Sequence, residues 1–301
     1  MRDKLRTSDI RGILIALLES TRPGQWTKNL LIFAALLFAK KLGDPVRATH
    51  ALLAFVLFCA VSGVVYLFND MLDRERDRLH PVKSRRPLAS GRLPMNIALP
   101  AALALLTVGM AASFSLSLPF GAITLVYVLV NVAYSFWLKE VVILDVMIIG
   151  LGFVLRALAG AVAIDVEISP WLILCTILLS LFLAFCKRRQ ELEMLVEDAG
   201  EHRVALKEYS VGFLDQMISI VTASTVVCYS FYTISPEVEE KLGTRHLFLT
   251  IPFVLYGIFR YLYLVHRRGQ GGNPATALLT DRPLLLCVAL WAVVVGLILY
   301  T

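Results

Sequence analysis

Apolar runs close to 20 residues recur along this 301-residue chain, and they limit its fold more than any other feature. A run of that length crosses the roughly 30 Å hydrocarbon core of a bilayer as one helix. Lipid offers no partner to a bare backbone group, so only helices or closed barrels can span it. The alternating segments of about 10 residues that mark a barrel are absent. The chain is 58% hydrophobic and 17% charged, with a mean hydropathy of +0.73. An all-α, polytopic membrane protein follows.

Nine spans are predicted. The first begins near Pro23 and ends near Ala39; the strictly apolar part, Leu30 to Ala39, is too short alone, so Lys28 and Asn29 enter the bundle. The others are Ala48–Asn69, Met95–Leu116, Pro119–Leu138, Val141–Ala163, Pro170–Cys186, Phe213–Ile234, His246–Leu264 and Pro283–Tyr300. Of the 29 lysines and arginines, 22 fall on the N-terminal side of these spans, five on the other side and two inside them. By the positive-inside rule the N-terminus is cytoplasmic. The reading is one domain, 1–301, with an interfacial segment at 1–21 and charged cytoplasmic loops at about 70–94 and 187–212. Ile10, Ile13, Leu14, Leu17 and Leu18 give the first segment the spacing of a helix lying in the interface.

The net charge of +6 comes from loops and does not suggest a nucleic-acid partner. The five cysteines lie in or beside apolar runs without a C-x-x-C, and the five histidines show no ligand spacing. Small core residues, and no zinc site, are the expectation.

Between Tyr66 and Arg78 an apolar run turns into dense charge. Continued as one helix, it sets Asn69, Asp73 and Asp77 at roughly 0°, 40° and 80°, with Tyr66 and Asp70 near 60° and 100°. Hard cations take oxygen ligands, and Mg²⁺ is commonly held by one or two carboxylates plus substrate phosphates. Alone, the stretch reads equally as a salt-bridged helix end, because Arg74, Arg76 and Arg78 are interleaved. The following loop breaks at Pro81 and Pro87 and carries Lys83, Arg85 and Arg86 beside those acids. Bases that hold phosphate next to acids that hold a metal suit a diphosphate.

Further polar groups stand at or inside spans. Tyr134 and Lys139 close the fourth span, Tyr134 reading also as an interfacial aromatic. Asp145 and Arg156 share a face of the fifth, where Arg156 either pairs with a buried acid or meets a lipid phosphate. Lys187 and Arg188 mark the edge of the sixth, ahead of acids from Glu193 to Glu201 that read as a solvated helix.

Asn69-Asp70-x-x-Asp73-x-x-x-Asp77, followed by His80-Pro81-x-Lys83-x-x-Arg86-Pro87-x-x-x-Gly91, resembles the UbiA superfamily of intramembrane prenyltransferases over nearly the whole chain. The resemblance implies nine helices around a central cavity, with Mg²⁺ on Asn69, Asp73 and Asp77. Most members carry a second D-x-x-x-D after the sixth helix; here Lys187-Arg188-Arg189-Gln190-Glu191-Leu192 stands there. That departure, with Arg22-Pro23-x-Gln25-Trp26-x-Lys28-Asn29, Arg156-Ala157-x-Ala159-Gly160 and Tyr209-Ser210, resembles the decaprenyl-phosphate phosphoribosyltransferase branch. The branch implies a 5-phosphoribosyl donor, phosphoribosyl diphosphate, a polyprenyl phosphate acceptor, and a bacterial plasma (inner) membrane with the site facing the cytoplasm. It would place Asp73, Asp77 and Lys83 at the chemistry, and Lys28, Tyr66, Asp70, Lys83, Arg86, Tyr134, Lys139, Arg156, Lys187 and Arg188 against the substrates. Prenyl transfer from a prenyl diphosphate to a hydroxybenzoate-like acceptor is the alternative enzyme, and a transporter or lipid-binding protein without chemistry is a third reading. A homo-oligomer is compatible with all of them.

Overall fold

A computed structural model describes residues 2–79, 81–197, 204–269, 271–272 and 274–300. These form fourteen α-helices, and no strand occurs among the described residues. In chain order they are α1 (Arg2–Ser20), α2 (Ile32–Phe38), α3 (Pro45–Leu72), α4 (Arg74–Leu79), α5 (Met95–Leu116), α6 (Leu118–Phe136), α7 (Leu144–Ala163), α8 (Pro170–Glu197), α9 (Val204–Lys207), α10 (Val211–Ile234), α11 (Pro236–Leu242), α12 (Ile251–Arg268), α13 (Pro274–Thr280) and α14 (Arg282–Tyr300). His80 and residues 198–203, part of the two charged loops, lie outside the described residues.

Eight segments among the described residues are long and apolar enough to cross a membrane. The ninth expected span takes another form: a 3₁₀ helix over Pro23–Leu31 followed by the short α2. Pro23 sets the first turn, and Gln25, Thr27, Lys28 and Asn29 make its first half polar. Gly160 of α7 then admits the chain: a Cβ there would lie 2.1 Å from the Ile32 carbonyl oxygen. Helix ends also differ from the expected spans, since α8 continues past Cys186 to Glu197.

Two apolar cores build the bundle. Phe58 and Val61 of α3, Phe120 and Tyr127 of α6, and Leu155 and Ala159 of α7 form one. Phe182 of α8, Leu214 and Ile218 of α10, and Tyr261 and Leu264 of α12 form the other. Helix α8 packs on both α7 and α10, which joins them.

A third cluster covers the charged end. Ala16 of α1 meets Val64 and Leu67 of α3, Leu88 and Leu93 of the loop, and Ala98 of α5. Ile13 and Leu17 pack against it, while Ile10, Leu14 and Leu18 stay exposed. The 3.6-residue period of α1 thus gives one face to the bundle and leaves an apolar face for a membrane interface.

Candidate active site

Helix α3 delivers a stripe of polar and small residues to the N-terminal segment. Cys59, Ser62, Gly63, Tyr66 and Asp70 recur at i, i+3, i+4, i+7 and i+11, one face of a helix. Asn29 Nδ2 donates to Cys59 Sγ (3.2 Å) and Ser62 Oγ (3.1 Å). Gly63 lets Thr21 approach; a Cβ there would meet the Thr21 Cβ at 2.8 Å. Arg22 lies over the Tyr66 ring, 5.0 Å from its centroid, and pairs with Asp70. Arg22 adopts a left-handed backbone (φ 54°) immediately before Pro23, a conformation that non-glycine residues seldom take outside tightly constrained sites.

The acidic stretch is not one uninterrupted helix. Helix α3 ends at Leu72, Asp73 caps it with φ −90° and ψ 5°, and α4 begins at Arg74. Helical bonding nevertheless crosses the break, from Asp73 N–H to the Asn69 carbonyl (3.0 Å) and from Asp77 N–H to the Asp73 carbonyl (2.8 Å). Asp70 and Asp77 remain on one face, and Arg86 bridges them at 3.0 and 2.5 Å. Asp73 turns to Lys139, whose Nζ lies 3.0 Å from its Oδ1. Asp70 and Asp77 are buried, while Asn69 and Asp73 are half-buried.

The loop after α4 is built to aim Arg86. Pro87, Leu88 and Ala89 are buried, and Ser90 and Leu93 N–H groups donate to the Arg86 and Pro87 carbonyls, both at 2.9 Å. Gly91 turns the chain at φ +80°, where a side chain would be strained. Lys83 sits half-buried on a 3₁₀ turn, Lys83–Arg85, packed against α4.

Deeper in the bundle is Arg156, 5% exposed and roughly 18 Å along α7 from Leu144 by helical rise. Its Nε donates to Asn29 Oδ1 (2.7 Å), Nη1 to the Gly152 carbonyl (2.7 Å) and Nη2 to the Tyr127 hydroxyl (2.9 Å). Its guanidinium carbon lies 4.9 to 5.7 Å from the ring centroids of Tyr127, Phe153 and Phe58. No carboxylate among the described residues pairs with it, so of the two sequence readings the buried ion pair does not occur there. Lys28 is within electrostatic reach of both Arg156 and Arg22, adding like charge. A buried cation held only by dipoles and aromatic faces is an incomplete site, because burying a charge is costly without a counter-charge.

Arg188 is brought elsewhere. It is 1% exposed, pairs with Asp145 (Nε to Oδ2, 2.6 Å) and with Glu191, and donates to the Tyr134 hydroxyl at 3.2 Å. Every guanidinium nitrogen is thereby engaged. Lys187 is more open and lies 3.7 Å from Glu191. The structure thus gathers Tyr66, Asp70, Asp77 and Arg86 around Arg22 into one network, sets the Asp73–Lys139 pair beside it on the same helical stretch, places Arg156 beside Asn29, and ties Arg188 to Asp145 and Tyr134.

A family model described as the UbiA prenyltransferase family matches residues 30–280. The chain belongs to that family. The UbiA likeness extends to curated relatives over nearly full length. A protein named decaprenyl-phosphate phosphoribosyltransferase in Mycolicibacterium smegmatis is 33% identical over 96% of this chain and 94% of its own. Another of that name in Mycobacterium tuberculosis is 31% identical, covering 98% of each. A solved UbiA homolog from Archaeoglobus fulgidus, bound to GPP and Mg²⁺, superposes with a TM-score of 0.70 at 19% identity, covering 94% of this chain and 98% of that one. Its long apolar helices and its UbiA family membership make the chain an integral membrane protein.

The donor set suits magnesium. Asn69, Asp70, Asp73 and Asp77 offer hard oxygen ligands within about two turns, and no cysteine or histidine among the described residues groups with them. Among the described residues they do not converge into a metal cage of three or more acidic, cysteine or histidine ligands. That suits an ion that borrows its remaining ligands from a substrate phosphate. Sequence reasoning passed over Tyr127, whose hydroxyl and ring both serve Arg156; nothing distinguishes it from any tyrosine in an apolar run. Arg22 and Asn29 stood in a quoted motif, but their partners lie 48 and 127 residues away, a distance no local pattern reports.

Proposed function

We propose that this UbiA-family protein transfers a 5-phosphoribosyl group from phosphoribosyl diphosphate to a polyprenyl phosphate of decaprenyl type, releasing diphosphate, at the cytoplasmic face of a bacterial plasma membrane. The observation that carries the reading is the pairing of two unlike anion environments. At the mouth, each of three carboxylates has a cation on it. Deeper in, Arg156 and Lys28 have no carboxylate partner among the described residues. The first suits a metal-bound diphosphate; the second suits a lipid phosphate entering from the bilayer. The names of the full-length relatives support the same donor and acceptor.

Asn69, Asp73 and Asp77 would hold Mg²⁺, which when bound neutralises charge on the departing diphosphate. Arg22, Arg86 and Lys139 are already spent on the acids, so a divalent ion arriving alone must displace a cation. A metal–diphosphate brings the anion to which those bases can turn, with Lys83 beside them. Metal and donor therefore bind together better than either does alone. Asp70 keeps Arg22 and Arg86 directed at this mouth, and the Tyr66 ring supports Arg22.

The bond from ribose C1 to the diphosphate oxygen breaks, and its electron pair leaves with diphosphate. A lipid phosphate oxygen, placed by Arg156 and Lys28, forms the new bond to the cationic C1. That oxygen is already anionic, so no general base is needed; positioning and charge stabilisation supply the catalysis. Lys187, 3.7 Å from Glu191 at the α8 edge, is the base we assign to the 5-phosphate. Arg188, held by Asp145 and the Tyr134 hydroxyl, acts from behind it through the Glu191 that both bases share.

The test is purified protein with Mg²⁺, labelled phosphoribosyl diphosphate and a panel of polyprenyl phosphates. Lipid-linked label is expected. No lipid-linked label with any acceptor, together with product from a prenyl diphosphate and a hydroxybenzoate, would replace this reading with aromatic prenylation. Specific uptake into proteoliposomes without turnover would replace it with transport.

A further inference from the structure

We infer that Tyr209 is a positioning residue for Lys139: its hydroxyl clamps the strained turn between α6 and α7 that presents Lys139 to Asp73. The turn runs from Trp137 through a 3₁₀ helix, Leu138–Glu140, to Ile143 at the head of α7. Ile143 has φ 70° and ψ −46°. That is close to the classic γ-turn, rare for any residue and most crowded for a β-branched one. Such a backbone persists only where its surroundings over-determine it.

Backbone bonds close the turn on either side, from Asp145 N–H to the Val141 carbonyl (3.0 Å) and from Met147 N–H to the Ile143 carbonyl (2.9 Å), and one side-chain oxygen holds the strained amide itself. Ile143 N–H donates to the Tyr209 hydroxyl at 2.7 Å, and that hydroxyl donates to Asp145 Oδ1, also at 2.7 Å. Asp145 Oδ2 takes Arg188 Nε at 2.6 Å. Tyr209 is 5% exposed and Asp145 1%, so the phenol and the carboxylate meet away from bulk solvent. Burial, and then the bond to Asp145, push the Tyr209 phenol above its ordinary range, and it stays a protonated donor. Its ring stacks on Phe213, 6.1 Å between centroids. Ser210 caps α10 by accepting from Phe213 N–H at 3.1 Å, which fixes the tyrosine at the helix entrance.

Lys139 leaves the same turn, four residues before Ile143, and is 8% exposed. Helix α9 packs against its 3₁₀ helix. The segment after α8 thus reaches the acid cluster through the turn that carries the residue gripping Asp73. A phenol can accept from the turn and donate to Asp145 at once; phenylalanine can do neither.

The activity test rests on the phosphoribosyl-transfer reading. Y209F should lower kcat on the order of tenfold to a hundredfold, the range expected when a group is misplaced from a distance, with little change in KM for the donor. I143G alone should stay near wild type, because glycine takes φ +70° unaided. The double variant Y209F/I143G should recover most of the loss. Wild-type kcat in Y209F, or a double variant no better than Y209F while both melt like wild type, overturns the inference. If wild type transfers no phosphoribosyl group, that reading falls, and amide exchange over residues 138–146 decides this one separately. Faster exchange in Y209F supports the clamp; unchanged exchange overturns it.

Discussion

Lys139 places its Nζ 3.0 Å from Asp73 Oδ1, joining the turn after α6 to the break after α3. The pair is largely buried, with side chains 10% and 20% exposed. Asp73 is therefore placed by the fold rather than by solvent.

Asp73→Ala should abolish metal-dependent transfer, a loss of at least about 10²-fold, the scale of removing one preorganised electrostatic contact in a transition state. The variant should still melt cooperatively in detergent, because Asp70 and Asp77 keep Arg86. Steady-state rates with and without Mg²⁺ check this. Substantial Mg²⁺-dependent activity would remove Asp73 from the site.

Arg156→Lys keeps the charge but loses the fork that binds Asn29, Gly152 and Tyr127 together. Lys offers a point charge on a flexible stem. The KM for polyprenyl phosphate should rise about tenfold, equivalent to about 1.4 kcal/mol, while the donor KM holds. Varying each substrate in turn separates the two. A rise confined to the donor would place Arg156 at the wrong substrate.

Gly160→Ala should destabilise the protein by about 1–3 kcal/mol, the usual cost of overpacking. Its Cβ would meet the Ile32 carbonyl, a backbone atom that cannot rotate away. Gly296→Ala in α14 meets nothing within 4 Å and should be neutral or slightly stabilising. Thermal melting of both variants tests the contrast.

Much of this was legible beforehand, and for identifiable reasons. The spans follow from hydrophobic length. The nearness of Asp70 and Asp77 follows from a spacing of seven, which a one-residue break at Asp73 does not undo. Arg86 was legible because Pro81 and Pro87 break the helix and leave a short turn beside the acids. The first span begins where expected, at Pro23, and takes Asn29 into the bundle, but its 3₁₀ half was not legible, because hydropathy does not register a glycine on another helix, and Gly160 is what lets the chain pack close at Ile32. Arg188 was misread for a related reason. A base at a membrane edge looks the same in sequence whether it faces phosphate or a buried Asp145.

A pH-dependent contribution should come from Asp281, between α13 and α14. It accepts from Arg260 Nε and Nη2 at 3.0 and 2.8 Å and from Leu284 N–H at 3.0 Å. The Arg260 hydrogen bonds lead in holding its carboxyl below the ordinary value of 3.8. A carboxyl depressed on folding adds stability that is present above its unfolded value and lost as pH falls through its folded one. Wild-type melting temperature should therefore drop more steeply than that of Asp281→Asn as pH falls below about 4. Parallel curves would show that this pair contributes nothing to acid stability.

The central claim is that the acid cluster accepts a metal together with a diphosphate. Titrating the purified protein with Mn²⁺ under electron paramagnetic resonance, with and without phosphoribosyl diphosphate, tests it most directly. Tight binding that needs the donor and disappears in Asp73→Ala is the predicted result. Equally tight Mn²⁺ binding without donor, unchanged in Asp73→Ala, would contradict it.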